Sequence, residues 1–241
     1  MRIIGTELYD KGFESAVAEF IDLVQQAPKN LIVSASDANV LVQARSKADI
    51  RKIVDACYWN LPDGVPSVWI SKLKGSKTIN RCSGPDFFKR IILESKSLNV
   101  NHYLCGGAPE VANELNKVCQ TWGNKNIVGT FCPPFKDLSD EEYQEIANDI
   151  NAKGTNVLWV GLGTPKQLYF SYKISKLTNV QFILPVGAAF DFHTGRVKQA
   201  PKWIQKSGIE WLYRIFQEPR RLTKRYLNVI PNFIYYNLLD R

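Results

Sequence analysis

Six short apolar runs, separated by stretches of helix length, recur through the first 195 residues, and no other feature restricts the fold as much. The runs lie at Arg2–Tyr9, Leu31–Ser36, His102–Cys105, Asn126–Phe131, Thr155–Gly161 and Val180–Pro185. Amphipathic patterns between them predict helices over Gly12–Gln26, Ala38–Tyr58, Pro85–Lys96, Pro109–Trp122, Ser139–Lys153 and Pro165–Leu177. Strands alternating with helices predict an α/β fold: a Rossmann-like, mostly parallel sheet with helices on both faces. The punctuation agrees. Ser139-Asp-Glu-Glu offers a cap with acids in the first turn, and Gly154 stops the same helix.

After Gly195 the alternation ends, so residues 1–195 form the expected core and 196–241 an appendage. Charge separates the two. The appendage holds ten Lys and Arg against three Asp and Glu, whereas the rest of the chain holds 21 against 20. The segments Ala200–Phe216 and Glu218–Tyr226 read as helices, followed by an apolar, aromatic tail at Val229–Leu239. Arg214, Arg221 and Arg225 recur at spacings that share one face if the helices stack in line. Basic residues interleaved with aromatics fit an anionic membrane surface, the alternative being a helix pair with a solvated basic face. No nucleic-acid partner is expected, because no helix-turn-helix, zinc or aromatic RNA-binding motif occurs. No run approaches the roughly 18 apolar residues of a membrane span. The start, Met1-Arg-Ile-Ile-Gly, shows no secretory leader, so a cytoplasmic chain peripheral to the membrane is the expectation. Five cysteines without a close pair read as reduced, packed thiols.

Ligands of parallel α/β sheets collect outside the carboxyl ends of the strands. Two glycine loops fall there, Gly106-Gly107 and Gly161-Leu-Gly163-Thr-Pro165-Lys-Gln167. Each is either an ordinary strand-to-helix turn or a cradle of backbone N–H groups for a diphosphate. In the second, Thr164 is a candidate cap and Gln167 projects toward the strand ends. Neither loop is a GxGxxG fingerprint, and no GxxxxGK[ST] loop occurs. Asp63, in Leu61-Pro-Asp-Gly64, is either a turn residue or a general base on a rigid loop. Arg81 is either a surface charge or a phosphate-binding fork. His102 is assigned to packing, and His193, after the last strand, either touches ligand or, the favoured reading, packs. With no Asp-x-Asp pair and two histidines, neither metal nor cofactor is expected. A diphosphate would then be neutralised by arginine and N–H groups.

Several blocks together resemble the WecG/TagA/CpsF glycosyltransferase family. They are Leu61-Pro-Asp63-Gly64, Gly84-Pro-Asp86-Phe-Phe88, Gly106-Gly107, Gly161–Gln167 and Val186-Gly-Ala-Ala-Phe190-Asp191-Phe192. The long segment Ala200-Pro-Lys-Trp203…Gly208-Ile-Glu210-Trp211…Arg214…Glu218-Pro-Arg220-Arg221…Arg225-Tyr226 adds to them. The resemblance implies inverting, metal-independent transfer of a sugar from a nucleotide-sugar donor, a uridine diphosphate sugar, to a polyprenyl-diphosphate-linked acceptor. Its setting would be synthesis of teichoic acid, capsule or exopolysaccharide. It implies Asp63 as catalytic base, Arg81 near the diphosphate and Gln167 at the sugar or nucleotide. Arg214, Arg221 and Arg225 would meet the membrane and the lipid diphosphate. The family often has Thr-x-Asn where this chain has Ser34-Ala-Ser36, and Glu where it has Leu168. Both departures fall near the expected sugar pocket, so Ser34 and Ser36 join the expected substrate contacts and the sugar stays unnamed. Two rivals stand beside this reading: a nicotinamide-dependent oxidoreductase using Gly161–Gly163, and a basic nucleotide- or nucleic-acid-binding module. The oligomeric state is open.

Overall fold

The structure is a computed structural model and describes residues 1–240. The chain opens with a small antiparallel hairpin, β1 (Arg2–Ile3) and β2 (Thr6–Glu7), then helix α1 (Phe13–Gln25) and strand β3 (Leu31–Ser36). Helices α2 (Ala38–Ser46) and α3 (Ala48–Asp55) lead to β4 (Trp59–Pro62), α4 (Val65–Leu73) and α5 (Gly84–Glu94). Next come β5 (His102–Gly106), α6 (Val111–Thr121), β6 (Ile127–Phe131), α7 (Asp140–Ala152), β7 (Val157–Gly161), α8 (Lys166–Ile174), β8 (Phe182–Pro185) and α9 (Ala189–His193). Three helices finish the described chain: α10 (Lys202–Lys206), α11 (Glu210–Gln217) and α12 (Pro219–Leu239).

Six strands form one sheet in the order β4-β3-β8-β7-β5-β6, with every pairing parallel. Strands β7 and β8, in the middle of the sheet, are almost wholly apolar because both faces are covered. Along β7, Val157 and Trp159 join the cluster of Phe20, Phe87, Phe88, Leu115 and Phe190 from α1, α5, α6 and α9. Leu158 and Val160 point the other way, to Ile146, Ile150, Phe170 and Ile174 of α7 and α8. Each such side chain contributes roughly 1.5–3 kcal/mol on burial. The expected α/β sheet, covered on both faces, is the one observed.

Four expectations are corrected. The run Arg2–Tyr9 is not a strand of the sheet: Ile4 and Gly5 take positive φ angles and turn it back on itself. Its apolar residues instead seat α2 and α12, where Ile3, Ile4 and Leu8 pack with Leu41, Val42, Val229 and Phe233. The helix over Ala38–Tyr58 divides at Lys47, whose backbone is extended, while Ser46 bonds back to the Val42 carbonyl. The last residues before Asp63 form a strand, β4, that local pattern does not signal. It is four residues long and ends in proline, which an edge strand tolerates. Finally, the tail Val229–Leu239 continues α12 rather than following a shorter helix.

The cap predicted at Ser139 is present, and it is a full capping box, with Glu142 answering back to the Ser139 N–H. His102 is buried on β5. Its Nδ1 accepts from the Trp159 indole at 3.2 Å and its Nε2 lies 2.8 Å from Ser95 Oγ. Burial pushes it down to about 3, so the ring is neutral and structural. His193 bonds the Pro85 carbonyl and stacks on Phe88, in keeping with a packing role. The five thiols are free, with Cys82, Cys105 and Cys119 buried.

Candidate active site

The sheet contains a reversal of winding. The chain leaves β5 toward β6 on one side, and leaves β7 toward β8 on the other. A crevice must open between such connections, at the carboxyl ends of the strands. Here it is a cleft of about 1610 Å³. The loops after β3, β4, β5, β7 and β8 form its floor, and α11 and α12 lean over it. Typical small-molecule pockets are roughly 300–1,000 Å³, so this one has room for more than one reactant.

Asp63 stands at the end of β4, its N–H directed at the Ser36 carbonyl at 3.4 Å and its side chain 24% exposed. Burial pushes its carboxyl up to about 7. The Arg81 guanidinium and, more weakly, Arg214 oppose that rise, while Asp37 and Glu210 add to it. Asp37 is in place because it caps α2, accepting from Val40 N–H at 3.0 Å. A carboxylate with this proton affinity can take up a proton at neutral pH.

Arg81 is no surface charge. Its Nε donates to the Asp63 carbonyl at 2.7 Å, and its Nη1 donates to Gln205 Oε1 at 3.3 Å. Its Nη2 lies 2.8 Å from Glu210 Oε2 and 3.8 Å from Asp63 Oδ1. Gln205 and Glu210 both belong to the appendage. The core's acid and the C-terminal helices therefore meet through one guanidinium.

The two glycine loops differ in use. Gly107 N–H donates to the Gly161 carbonyl at 2.9 Å, and a β-carbon on Gly106 would fall 2.7 Å from that peptide group. These glycines let β5 and β7 touch. The Gly107 N–H is spent inside the protein and Gly106 is buried, so neither offers the N–H group expected for a diphosphate. Gly163 is the opposite case: it lines the cleft at φ 73° with open space where a side chain would begin. Thr164 does not cap α8; its hydroxyl instead accepts from Gln167 Nε2 at 3.4 Å. Gln167 Oε1 accepts from Gly187 N–H at 2.9 Å, so this side chain ties the loop after β7 to the loop after β8 at the cleft wall.

Ser34 and Ser36 are not where substrate contacts were expected. Both are fully buried, their hydroxyls 3.2 Å apart, and Ser36 donates to Asn60 Oδ1 at 3.1 Å. The cleft wall at this strand is Ala35, Asp37 and Asn39. The strand's parity turns the serines inward.

Glu218 breaks the helix line between α11 and α12, with φ −133° and ψ 62°, yet Arg214, Arg221 and Arg225 all reach the cleft. Glu218 grips Arg221 through two hydrogen bonds of 2.6 Å. The Nε groups of Arg214 and Arg225 are buried without a hydrogen-bond partner among the described residues. Opposite them, Asp191 of α9 lines the cleft, its carboxyl raised by burial and by Glu218. Asp37, Asp191, Gln205 and Glu210 line the cleft and are residues that local reading missed. Only their position after a strand or inside the long C-terminal block marks them. No group of three or more His, Cys, Asp or Glu side chains suited to a metal ion occurs among the described residues.

A family model, the glycosyl transferase WecG/TagA/CpsF family, matches residues 1–241. With the match spanning core and appendage alike, the chain belongs to the WecG/TagA/CpsF family of glycosyltransferases, enzymes of polysaccharide biosynthesis.

Proposed function

We propose that the protein transfers a sugar, with inversion and without a metal ion, from a nucleotide diphosphate onto a polyprenyl-diphosphate-linked acceptor. The reading rests above all on one arrangement: the Asp63 carboxyl, its proton affinity raised by burial, faces a cleft overhung by Arg214 and Arg225, whose Nε groups lack hydrogen-bond partners among the described residues. Asp63 takes the proton of an acceptor hydroxyl as that oxygen bonds to the anomeric carbon. The bond from that carbon to the diphosphate oxygen breaks in the same step, and the nucleoside diphosphate departs with its electron pair. Partly buried arginines along the cleft wall suit the two diphosphates of such a reaction. Gly163 and Gln167 shape the donor side, and Arg214, Arg221 and Arg225 the acceptor side.

The outer surface of the appendage supports attachment to the inner face of a bacterial cell membrane. Helix α11 buries no residue, and Trp203, Phe216 and Leu227 are 68, 78 and 72% exposed. No described helix is long and apolar enough to cross a membrane. Such a surface fits lying in a headgroup layer, with basic residues toward the anionic lipid.

The reading is tested by calorimetric titration in EDTA with UDP, GDP, NAD and a random oligonucleotide. Binding of one nucleoside diphosphate alone is expected and names the donor base. Binding of NAD or oligonucleotide instead replaces transfer by one of the two rival readings.

A further inference from the structure

Arg81 is the only described side chain that touches both Asp63 and the appendage through hydrogen bonds or ion pairs. An arginine beside a carboxylate ordinarily closes on it as a fork, two N–H groups on two oxygens, and lowers its basicity. Here it does not close. Nε goes to the Asp63 backbone carbonyl, Nη1 to Gln205, and Nη2 to Glu210 at 2.8 Å, leaving the Asp63 carboxylate 3.8 Å away. That gap is too long for a hydrogen bond. Gln205 is itself fixed, since its Nε2 donates to the Ala200 carbonyl at 2.6 Å. The guanidinium is therefore held off the acid by α10 and α11.

We infer that Glu210 is a positioning residue for Asp63: it holds the Arg81 guanidinium back from the Asp63 carboxylate and so keeps that carboxylate basic. The inference rests on the proposed role of Asp63 in transfer. Two effects of Glu210 act in one direction. It competes for Nη2, and its own negative charge disfavours a second one nearby. Four other groups face Asp63: Arg81 before α5, Asp37 capping α2, Arg214 on α11, and the Cys82 thiol. Of these only the two arginines favour the carboxylate, and Glu210 diverts the nearer. The consequence is functional. The base is in its working state only when α10 and α11 are docked over the cleft.

The test is a carbon-13 NMR titration of the aspartate carboxyl groups in the intact chain, with the Asp63 signal assigned by its absence in Asp63→Asn. In Glu210→Gln the guanidinium is released, and the Asp63 midpoint should fall by about 1–2 pH units. In Arg81→Met it should rise. Glu210→Asp, which keeps the charge, should return it toward the parent value and covers the case in which Glu210→Gln disturbs α11. An unchanged or raised midpoint in Glu210→Gln overturns the inference, because a merely structural contact would leave Asp63 where it is. The acid limb of the kcat/KM profile should move with the NMR midpoint. If the midpoint falls while the limb stays, Glu210 positions Asp63 as inferred and Asp63 is not the base.

Discussion

The sheet and the C-terminal helices use similar side chains to opposite ends. On β7 and β8, successive residues go alternately to two apolar layers, and Trp159, Phe182 and Ile183 are fully buried. Helices α10 to α12 carry aromatics in abundance, yet bury only Gln205, Leu222, Val229, Phe233 and Asn237. Nine of the 14 large hydrophobic side chains that are exposed among the described residues lie after residue 195. The core thus satisfies itself. The appendage packs through Val229 and Phe233 on Leu41 and Val42, is tied to Arg81 through Gln205 and Glu210, and offers most of its remaining apolar surface outward. Its charged side meanwhile enters the site through Arg214, Arg225 and Glu210. The difference teaches that one element can be poorly buried and still line the cleft.

Three experiments break or sharpen that contrast. The largest effect is expected at the core's acid: Asp63→Asn should lower turnover by roughly 10²–10⁴-fold with donor binding retained. Steady-state kinetics beside donor calorimetry checks it, and near-normal turnover would remove Asp63 from the reaction.

Next is a matched pair of phenylalanines. Phe88→Ala, in the packed layer against Trp159, should cost about 3–5 kcal/mol in denaturant unfolding. Phe216→Ala, 78% exposed, should stay within about 0.5 kcal/mol of the parent yet weaken sedimentation with anionic liposomes. Equal stability losses would mean that the appendage is packed like the core, and undiminished sedimentation would move the membrane surface elsewhere.

The smallest effect is a pH-dependent one. Asp63 has a folded value raised above its unfolded one, to about 7. Its contribution to stability is therefore complete below the unfolded value near 4 and is lost as pH rises through 7. Removing the ionisable group should help only above that window. Asp63→Asn should raise the thermal midpoint by a few degrees at pH 8, by roughly 2–4 °C per kcal/mol, and leave it little changed at pH 4.5. A gain of equal size at both pH values would point to lost turn strain rather than a relieved buried charge.

Much of this architecture is legible locally. Five of the six apolar runs are strands of the sheet, because continuous apolar runs between amphipathic helices have few other ways to be buried. The helix start at Ser139 is a local hydrogen-bond pattern and was readable for that reason. A cleft at the strand ends was legible as a place, and Asp63, Arg81 and Gln167 do line it. Less visible was how each is used. Ser34 and Ser36 lie on a strand buried on both faces, where polarity along the sequence does not say which side faces the ligand. Gly106 and Gly107 have the composition of a phosphate loop, but their contact partner, Gly161, lies some fifty residues on.

By itself the sequence determined the kinds of element, their order and the division of charge between core and C-terminus, because propensity, periodicity and capping act over a few residues. Only the tertiary structure decided which acid meets which base. Glu210 lies far from Arg81 in the chain and 2.8 Å from it in space, and that distance depends on how α11 sits over the cleft. Pairings of that kind are set by packing between whole elements, which no local pattern encodes.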